Sequence, residues 1–155
     1  MLPQKHILLG LIFAIVIFFL FPSVGILNAS IIFLSSFLID VDHYIYYVFK
    51  KKNLNLFKAY HWFKHNTRRC KTLSKEQKQK VHFGTYFLHG IETLILLFVL
   101  GNFLSPIFYF ILIGFTFHMT LDLTVEIIFE NKFNKISSIY TFLKSKGMIF
   151  IDDLD

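Results

Sequence analysis

The fold is decided by residues 7–39, which read ILLGLIFAIVIFFLFPSVGILNASIIFLSSFLI and carry no formal charge. These 33 residues would make one straight helix of roughly 50 Å, against a hydrocarbon core of about 30 Å. A turn signal, Phe21-Pro22-Ser23-Val24-Gly25, lies near the middle, because Pro and Gly end helices and permit tight turns. We therefore predict a helical hairpin whose two ends lie on the same side of a membrane.

A second uncharged segment, residues 93–121, repeats the pattern with a turn signal at Gly101-Asn102-Phe103-Leu104-Ser105-Pro106. The chain is 55% hydrophobic with a mean hydropathy of +0.57. We predict an all-α membrane protein of two helical hairpins, and hence four membrane helices, in a single domain. The expected parts are hairpin 1 at about 6–43, a basic loop at about 50–80, hairpin 2 at about 82–130 and a tail at 131–155.

Basic residues set the expected orientation. Of 16 Lys and Arg residues, 11 lie between Lys50 and Lys80, and neither hairpin turn carries any. The positive-inside bias then predicts a multi-pass inner-membrane protein with both termini and the middle loop in the cytoplasm. A cleaved signal peptide is the competing interpretation, but Leu27-Asn28-Ala29 puts a large residue where cleavage needs a small one. We therefore expect the first segment to be retained.

The middle loop predicts an amphipathic helix in the membrane interface, with membrane lipids as its partners. The apolar face comprises Leu56, Phe57, Tyr60 and Phe63, and the basic face Lys58, His61, Lys64, His65 and Arg68. Such a helix anchors the bundle or, alternatively, attracts phosphate substrates. A capping box, Ser74-Lys75-Glu76-Gln77, predicts a helix that starts at Lys75 and continues into the third membrane helix.

Residues able to bind metal gather at the ends of the two apolar segments. They are His6, Asp40, Asp42, His43, His89, Glu92, His118 and Asp122. His118 and Asp122 are spaced i, i+4, and the pair that begins at His89 is spaced i, i+3, so each pair shares a helix face. If both segments fold back, all four ends meet on one side. Because ionisable groups in membrane segments are costly and tend to mark function, we predict a polynuclear metal site.

Single residues of this kind have plainer explanations. A lone His at a membrane-helix end is more often an interface residue than a ligand, and only the coincidence of the whole set favours a site. Glu126 continues the same face or is an exposed acid, and His82 is an outer ligand or a phosphate contact. His61 and His65 have ligand spacing, but their basic neighbours argue against a metal there.

Three elements match a family pattern: Lys5-His6-Ile7-Leu8-Leu9-Gly10, a D-x-D-H motif in Leu38-Ile39-Asp40-Val41-Asp42-His43, and G-x-x-x-H-x-x-x-D from Gly114 to Asp122. With them residues 5–125 resemble the YdjM-like, LexA-binding inner-membrane metal-dependent hydrolases. That family's H-R-G-x-T-H-S motif is matched only by His82-Phe83-Gly84 and His89-Gly90-Ile91-Glu92. The Arg is missing there, and Glu92 stands as a substitute ligand.

The family is similar in turn to zinc-dependent phospholipase C and related nucleases. This resemblance implies hydrolysis of a phosphoester, with two or more zinc ions activating water. The expected headgroup depth of the site and the basic loop make a lipid phosphoester a candidate substrate. On this resemblance the metal ligands are His6, Asp40, His89 and His118. Asp122 and Glu92 would be bridging or second-site carboxylates. Asp42 and His43 would be ligands or groups that orient the ligands. The catalytic carboxylates are then Asp122, Glu92 and Asp42. We expect no nucleic-acid partner, and the sequence specifies no protein partner.

Non-hydrolytic functions remain as alternatives. A carboxylate-bridged di-iron redox protein also uses four helices, but such bundles carry Glu-x-x-His where this chain has His89-x-x-Glu92. A regulator-binding scaffold would follow from the family's LexA link, through the basic loop. A transporter is disfavoured because the polar residues lie at one interface and not at the midplane.

Overall fold

The computed structural model describes residues 3–82, 84–130 and 136–153, and these are mostly helical. In chain order the elements are α1 (Pro3–Leu20), α2 (Gly25–Leu38), α3 (Val41–Lys51), α4 (Leu56–Thr72), α5 (Lys75–Lys80), β1 (Val81–His82), α6 (Ile91–Phe103), α7 (Ile107–Val125), α8 (Ser138–Ser145) and β2 (Ile149–Phe150). The described residues do not include Phe83, which belongs to the partial match His82-Phe83-Gly84. They also do not include residues 131–135 and 154–155 of the tail.

The chain divides into two compact units, each made of two separate stretches. The first comprises Met1–Asp40 and Leu88–Ser137, and the second Val41–Phe87 and Ser138–Asp155. The first unit contains most of both predicted hairpins, and the second contains the basic loop and most of the tail.

Both hairpin turns lie where the sequence predicts them. α1 ends at Leu20, a 3₁₀ turn covers Pro22–Val24, and α2 begins at Gly25, whose φ of 71° is left-handed. α6 ends at Phe103, and α7 begins directly after Pro106. In each pair the two helices pack against one another.

Among the residues that the structure describes, two helical stretches, Pro22–Lys51 and Ile107–Ile128, are long and apolar enough to span a membrane. Gln4–Leu20 and Ile91–Phe103 are apolar but shorter, so length and composition support two spans where the sequence predicts four. Large apolar side chains cover the outside of this unit; Leu27, for example, is 78% exposed.

Small residues let the helices of the first unit approach closely. α2 packs against both α1 and α7. A Cβ atom at Gly10 of α1 would overlap Ser36 Oγ, and one at Gly114 of α7 would overlap Ser35 Oγ and lie 2.5 Å from the Ile32 carbonyl oxygen. Close approach at small residues is how helices associate without a hydrophobic driving force between them.

Side chains cap two helices of the second unit, and the cap before Lys75 confirms the predicted helix start there. Asn55 caps α4, its side chain accepting a 3.0 Å hydrogen bond from the Lys58 amide. Ser74 and Gln77 form the predicted capping box. The face of α4 that packs within the protein includes Ala59, whereas Leu56 and Phe57 of the predicted apolar face are 64% and 79% exposed.

The prediction of a continuous helix from Lys75 into the third membrane helix is wrong. α5 ends at Lys80, and β1 pairs in parallel with β2, Val81 opposite Ile149. Gly84 then adopts a φ of 156°, which a helix cannot accommodate. Val81 packs with Cys70 and Ile151, so burial stabilises the strand over the helix.

Asp152 anchors the tail within the second unit. It accepts hydrogen bonds from Lys51 Nζ at 2.7 Å, Asn66 Nδ2 at 3.0 Å and Trp62 Nε1 at 3.1 Å. Burial raises the pKa of this carboxyl, but the hydrogen bonds and the charge of Lys51 outweigh it, and the pKa lies below its ordinary value of 3.8.

Candidate metal centre

Five of the predicted ligands come together within the first unit. His6 lies at the end of the first turn of α1, Asp40 just after α2, His89 before α6, and His118 and Asp122 in the last turns of α7. The three imidazoles are buried, and His118 is fully so.

Four ligand atoms have the spacing of a coordination sphere. His118 Nε2 lies 3.2 Å from His89 Nε2, 3.5 Å from Asp40 Oδ1 and 3.6 Å from Asp122 Oδ2. His89 Nε2 lies 3.5 Å from Asp40 Oδ1 and 4.0 Å from Asp122 Oδ2. Tetrahedral ligands at zinc bond lengths would be roughly 3.3–3.6 Å apart, so only small movements would close these atoms on one ion.

Asp122 turns its second oxygen to another imidazole. Its Oδ1 lies 3.2 Å from His6 Nε2, and the His6 ring stacks on His118 with centroids 4.0 Å apart. His6, His118 and Asp122 therefore form a triad whose ligand atoms lie within 4.8 Å of one another and could hold a metal ion. A carboxylate that offers different oxygens to different imidazoles has the geometry of a bridging ligand.

The contact that His118 makes through its other ring nitrogen, Nδ1, determines its tautomer. His118 Nδ1 lies 2.7 Å from the Ser36 carbonyl oxygen. A carbonyl only accepts, so Nδ1 carries the proton and Nε2 turns its lone pair to the cluster. That lone pair faces carboxylate oxygens of Asp40 and Asp122, an arrangement that a cation would stabilise. The donor set therefore fits a divalent metal, and the Ser36 carbonyl orients one ligand.

The close helix packing aligns the two stacked rings. His6 lies one turn before Gly10, and His118 lies one turn after Gly114. Both glycines contact the adjacent serines of α2, so the rings are held at one level beside that helix. The hydrogen bond from His118 to Ser36 fixes the same level.

The prediction that His89 and Glu92 share one face of a helix is wrong. Gly90 is the N-cap of α6, with extended φ and ψ of −118° and 156°, so His89 lies in the 3₁₀ turn Phe87–His89. Glu92 lies outside the triad, and its carboxylate accepts a hydrogen bond from Ser137 Oγ. Its role as a bridging carboxylate stays a prediction.

Asp42 and His43 belong to the second unit. Asp42 is buried, its Oδ1 lies 2.8 Å from His43 Nδ1, and the His43 ring stacks on Tyr86 at 3.7 Å. In this pair the Asp42 carboxylate is placed to orient the His43 imidazole. The part of both residues in the metal site stays a prediction. His82 lies in β1, not on a helix, and burial lowers its pKa.

Glu126 is a further acidic residue whose position the sequence left open. It is 5% exposed, so it is not an exposed acid. It begins the π-helical turn Glu126–Glu130 and lines a cavity of about 180 Å³ together with His89 and Asp122. Its i+4 spacing from Asp122 was the signal that pointed to this face.

No family model, curated protein or solved structure matches this chain. Interpretation of the cluster therefore depends on its own geometry.

Proposed function

We propose that this protein is a metal-dependent hydrolase, a phosphoesterase that acts at the cytoplasmic face of the inner membrane. The observation that supports it most directly is Asp122, whose two oxygens face His6 and His118 at 3.2 and 3.6 Å in a buried cluster. Ionisable residues within membrane helices are costly and tend to mark function, and this cluster places two carboxylates beside three buried imidazoles. The resemblance to the YdjM-like hydrolases supports the same class of reaction.

Some residues of the cluster would bind the metal, and others would orient the metal-binding side chains. His6, Asp40, His89, His118 and Asp122 would hold the divalent metal. Divalent ions of this kind lower the pKa of a bound water and neutralise phosphate charge. The chain itself holds His118 in the ligating tautomer through Ser36, and burial of the rings keeps bulk water from the ligand atoms.

A membrane location agrees with the surface of the first unit. Its helices expose large side chains such as Phe19, Leu27 and Phe103, at 73%, 78% and 82%, which water would not favour. The exposed Leu56 and Phe57 on basic α4 suit a helix in the membrane interface. With the positive-inside bias, these surfaces support a multi-pass protein with a cytoplasmic site.

The test combines metal content with activity. The protein would be purified in detergent, and zinc, manganese and iron per chain would be measured by mass spectrometry for wild type and His118→Ala. Hydrolysis would be assayed on soluble and lipid phosphoesters. We expect bound metal and metal-dependent hydrolysis in wild type, both greatly reduced in His118→Ala.

Two outcomes would contradict the proposal. The absence of tightly bound metal from the wild-type protein would contradict the proposed metal site. Bound metal without hydrolysis of any phosphoester would favour a non-hydrolytic metal-binding module. Bound iron would point to redox chemistry. His61→Ala, a change at an exposed histidine, is the matched control and should leave the metal content unchanged.

A further inference from the structure

A cavity of about 180 Å³ lies beside the cluster within the first unit. Its ionisable lining residues are His89, Asp122 and Glu126. Much of the remaining lining is apolar, including Leu94 of α6 and Met119 of α7. The cavity therefore joins the candidate metal site to an apolar wall between the two helices of the second hairpin.

The ionisable lining residues lie toward one end of the cavity, whereas apolar residues line it throughout. Leu94 and Thr116 are each eleven residues from Ser105 in the hairpin turn, so they mark the end nearest that turn. Glu126 lies ten residues beyond Thr116, which corresponds to roughly 15 Å along a helix. The cavity is thus elongated, with charged groups only at the ligand end and apolar side chains such as Leu94 continuing toward the turn.

This polarity selects an amphiphile. A small soluble phosphoester would reach His89 and Asp122 but leave the apolar walls in contact with water, which is unfavourable. An aliphatic chain would bury them. Ile95 and Phe98 of α6 are 58% and 55% exposed on the outside of the same hairpin, so apolar surroundings adjoin the cavity.

We propose that the substrate is a membrane lipid with a phosphoester headgroup, and that one aliphatic chain lies between α6 and α7. The headgroup would then meet His89 and Asp122, with Glu126 beside it. The headgroup part rests on the proposed hydrolase function, whereas binding of the chain needs no metal.

The test uses a photoreactive lipid analogue. Dodecyl phosphate with a diazirine near the end of its chain would be added to the protein in phosphatidylcholine nanodiscs, with zinc and with a chelator. After illumination, labelled residues would be identified by mass spectrometry. We expect labelling concentrated near Leu94 and Met119, in both conditions, and removed by excess unlabelled dodecyl phosphate.

Matched variants separate the cavity from the general surface. Met119→Trp would fill the cavity, whereas Ile113→Trp adds the same side chain on the same helix but in a different groove. We expect labelling to fall about tenfold in Met119→Trp and to stay unchanged in Ile113→Trp. Circular dichroism would check that both fold, and Leu94→Phe would replace Met119→Trp if that variant does not.

Two results would overturn the inference: labels spread evenly over the outer faces of the helices, or equal labelling in Met119→Trp and Ile113→Trp. Hydrolysis of a lipid phosphoester that Met119→Trp leaves unchanged would also overturn it, while the hydrolase proposal would stand. Specific labelling of a protein that binds no metal would support the chain site and contradict the hydrolase.

Discussion

Asp122 occupies the position in the cluster where charge matters most, because each of its oxygens faces a different imidazole. Asp122→Asn keeps the shape of the side chain but removes the charge and one acceptor. We expect phosphoester hydrolysis to fall by about 100-fold or more, with the helical circular dichroism unchanged. The measurements are initial rates and metal content per chain.

Asp153→Asn is the control for that experiment, since Asp153 is an exposed acid of the second unit. Its activity should equal that of wild type. Full activity in Asp122→Asn would show that this carboxylate does not hold the reactive metal.

Asp152 gives a pH-dependent prediction for the second unit. Its pKa lies below 3.8, so the ionised form is stabilised by folding. That stabilisation is present above the ordinary pKa and is lost as the pH falls through the lowered one. Asp152→Asn should therefore reduce the free energy of unfolding by about 1–3 kcal/mol at pH 7, and by less near pH 3.

Trp62, the only tryptophan, donates to Asp152, so its fluorescence during thermal unfolding is a direct readout. Asp153→Asn should unfold like wild type. An equal deficit of Asp152→Asn at both pH values would contradict a role for the ionised carboxylate.

At this scale the sequence indicated which side chains would meet but not how each would be held. His6 and His118 approach because the hairpins fold back at Pro22 and Pro106, which the sequence makes evident. The partner of His118, however, is the carbonyl oxygen of Ser36, and every residue has such a group. A backbone acceptor leaves no signal in a sequence, so this contact could not be predicted.

Among the elements, the contact between α7 and α2 determines the position of His118. Gly114→Ala would drive a methyl group against Ser35 and the Ile32 carbonyl oxygen, and the backbone oxygen cannot rotate away. We expect a loss of about 1–3 kcal/mol of stability and weaker metal binding, because α7 must shift. Thermal unfolding and metal content would measure both effects.

Gly147→Ala makes the same chemical change where no heavy atom lies within 4 Å of the added Cβ. It should leave the unfolding temperature and the metal content unchanged. If Gly114→Ala behaved identically, the close approach of the two helices would not matter for the site.

Elements set by local sequence were predicted well, and elements set by distant partners were not. The predicted capping box at Ser74 depends on a residue three positions away, which the capping rules capture. β1 depends on a strand near residue 150, and no local pattern contains that partner. Asn66 is buried on α4 because it bonds Asp152, whereas the sequence indicated only which face was apolar.

For the whole molecule, orientation in the membrane is the decisive prediction. Reporter fusions at Lys52 and at the C-terminus should report the cytoplasm, and a fusion at Asn102 the other side, because basic residues flank the hairpins and avoid their turns. A result that put Lys5 and Lys52 on opposite sides would mean that the first segment crosses once.

Composition predicted a helical, apolar chain, and the first unit agrees with it. Composition could not predict the division into two units, because the second unit arises from contacts between residues 41–87 and 138–155. Such pairings require contacts that no window of sequence contains.

The interleaving of the two units has a consequence for biosynthesis. Residues 41–87 leave the ribosome well before residues 138–155, with which they pack, and the second hairpin is made in between. Val81 cannot join its partner Ile149 until almost the whole chain has been translated. The contact order of the second unit is therefore high, so its closure is a late and slow step of maturation.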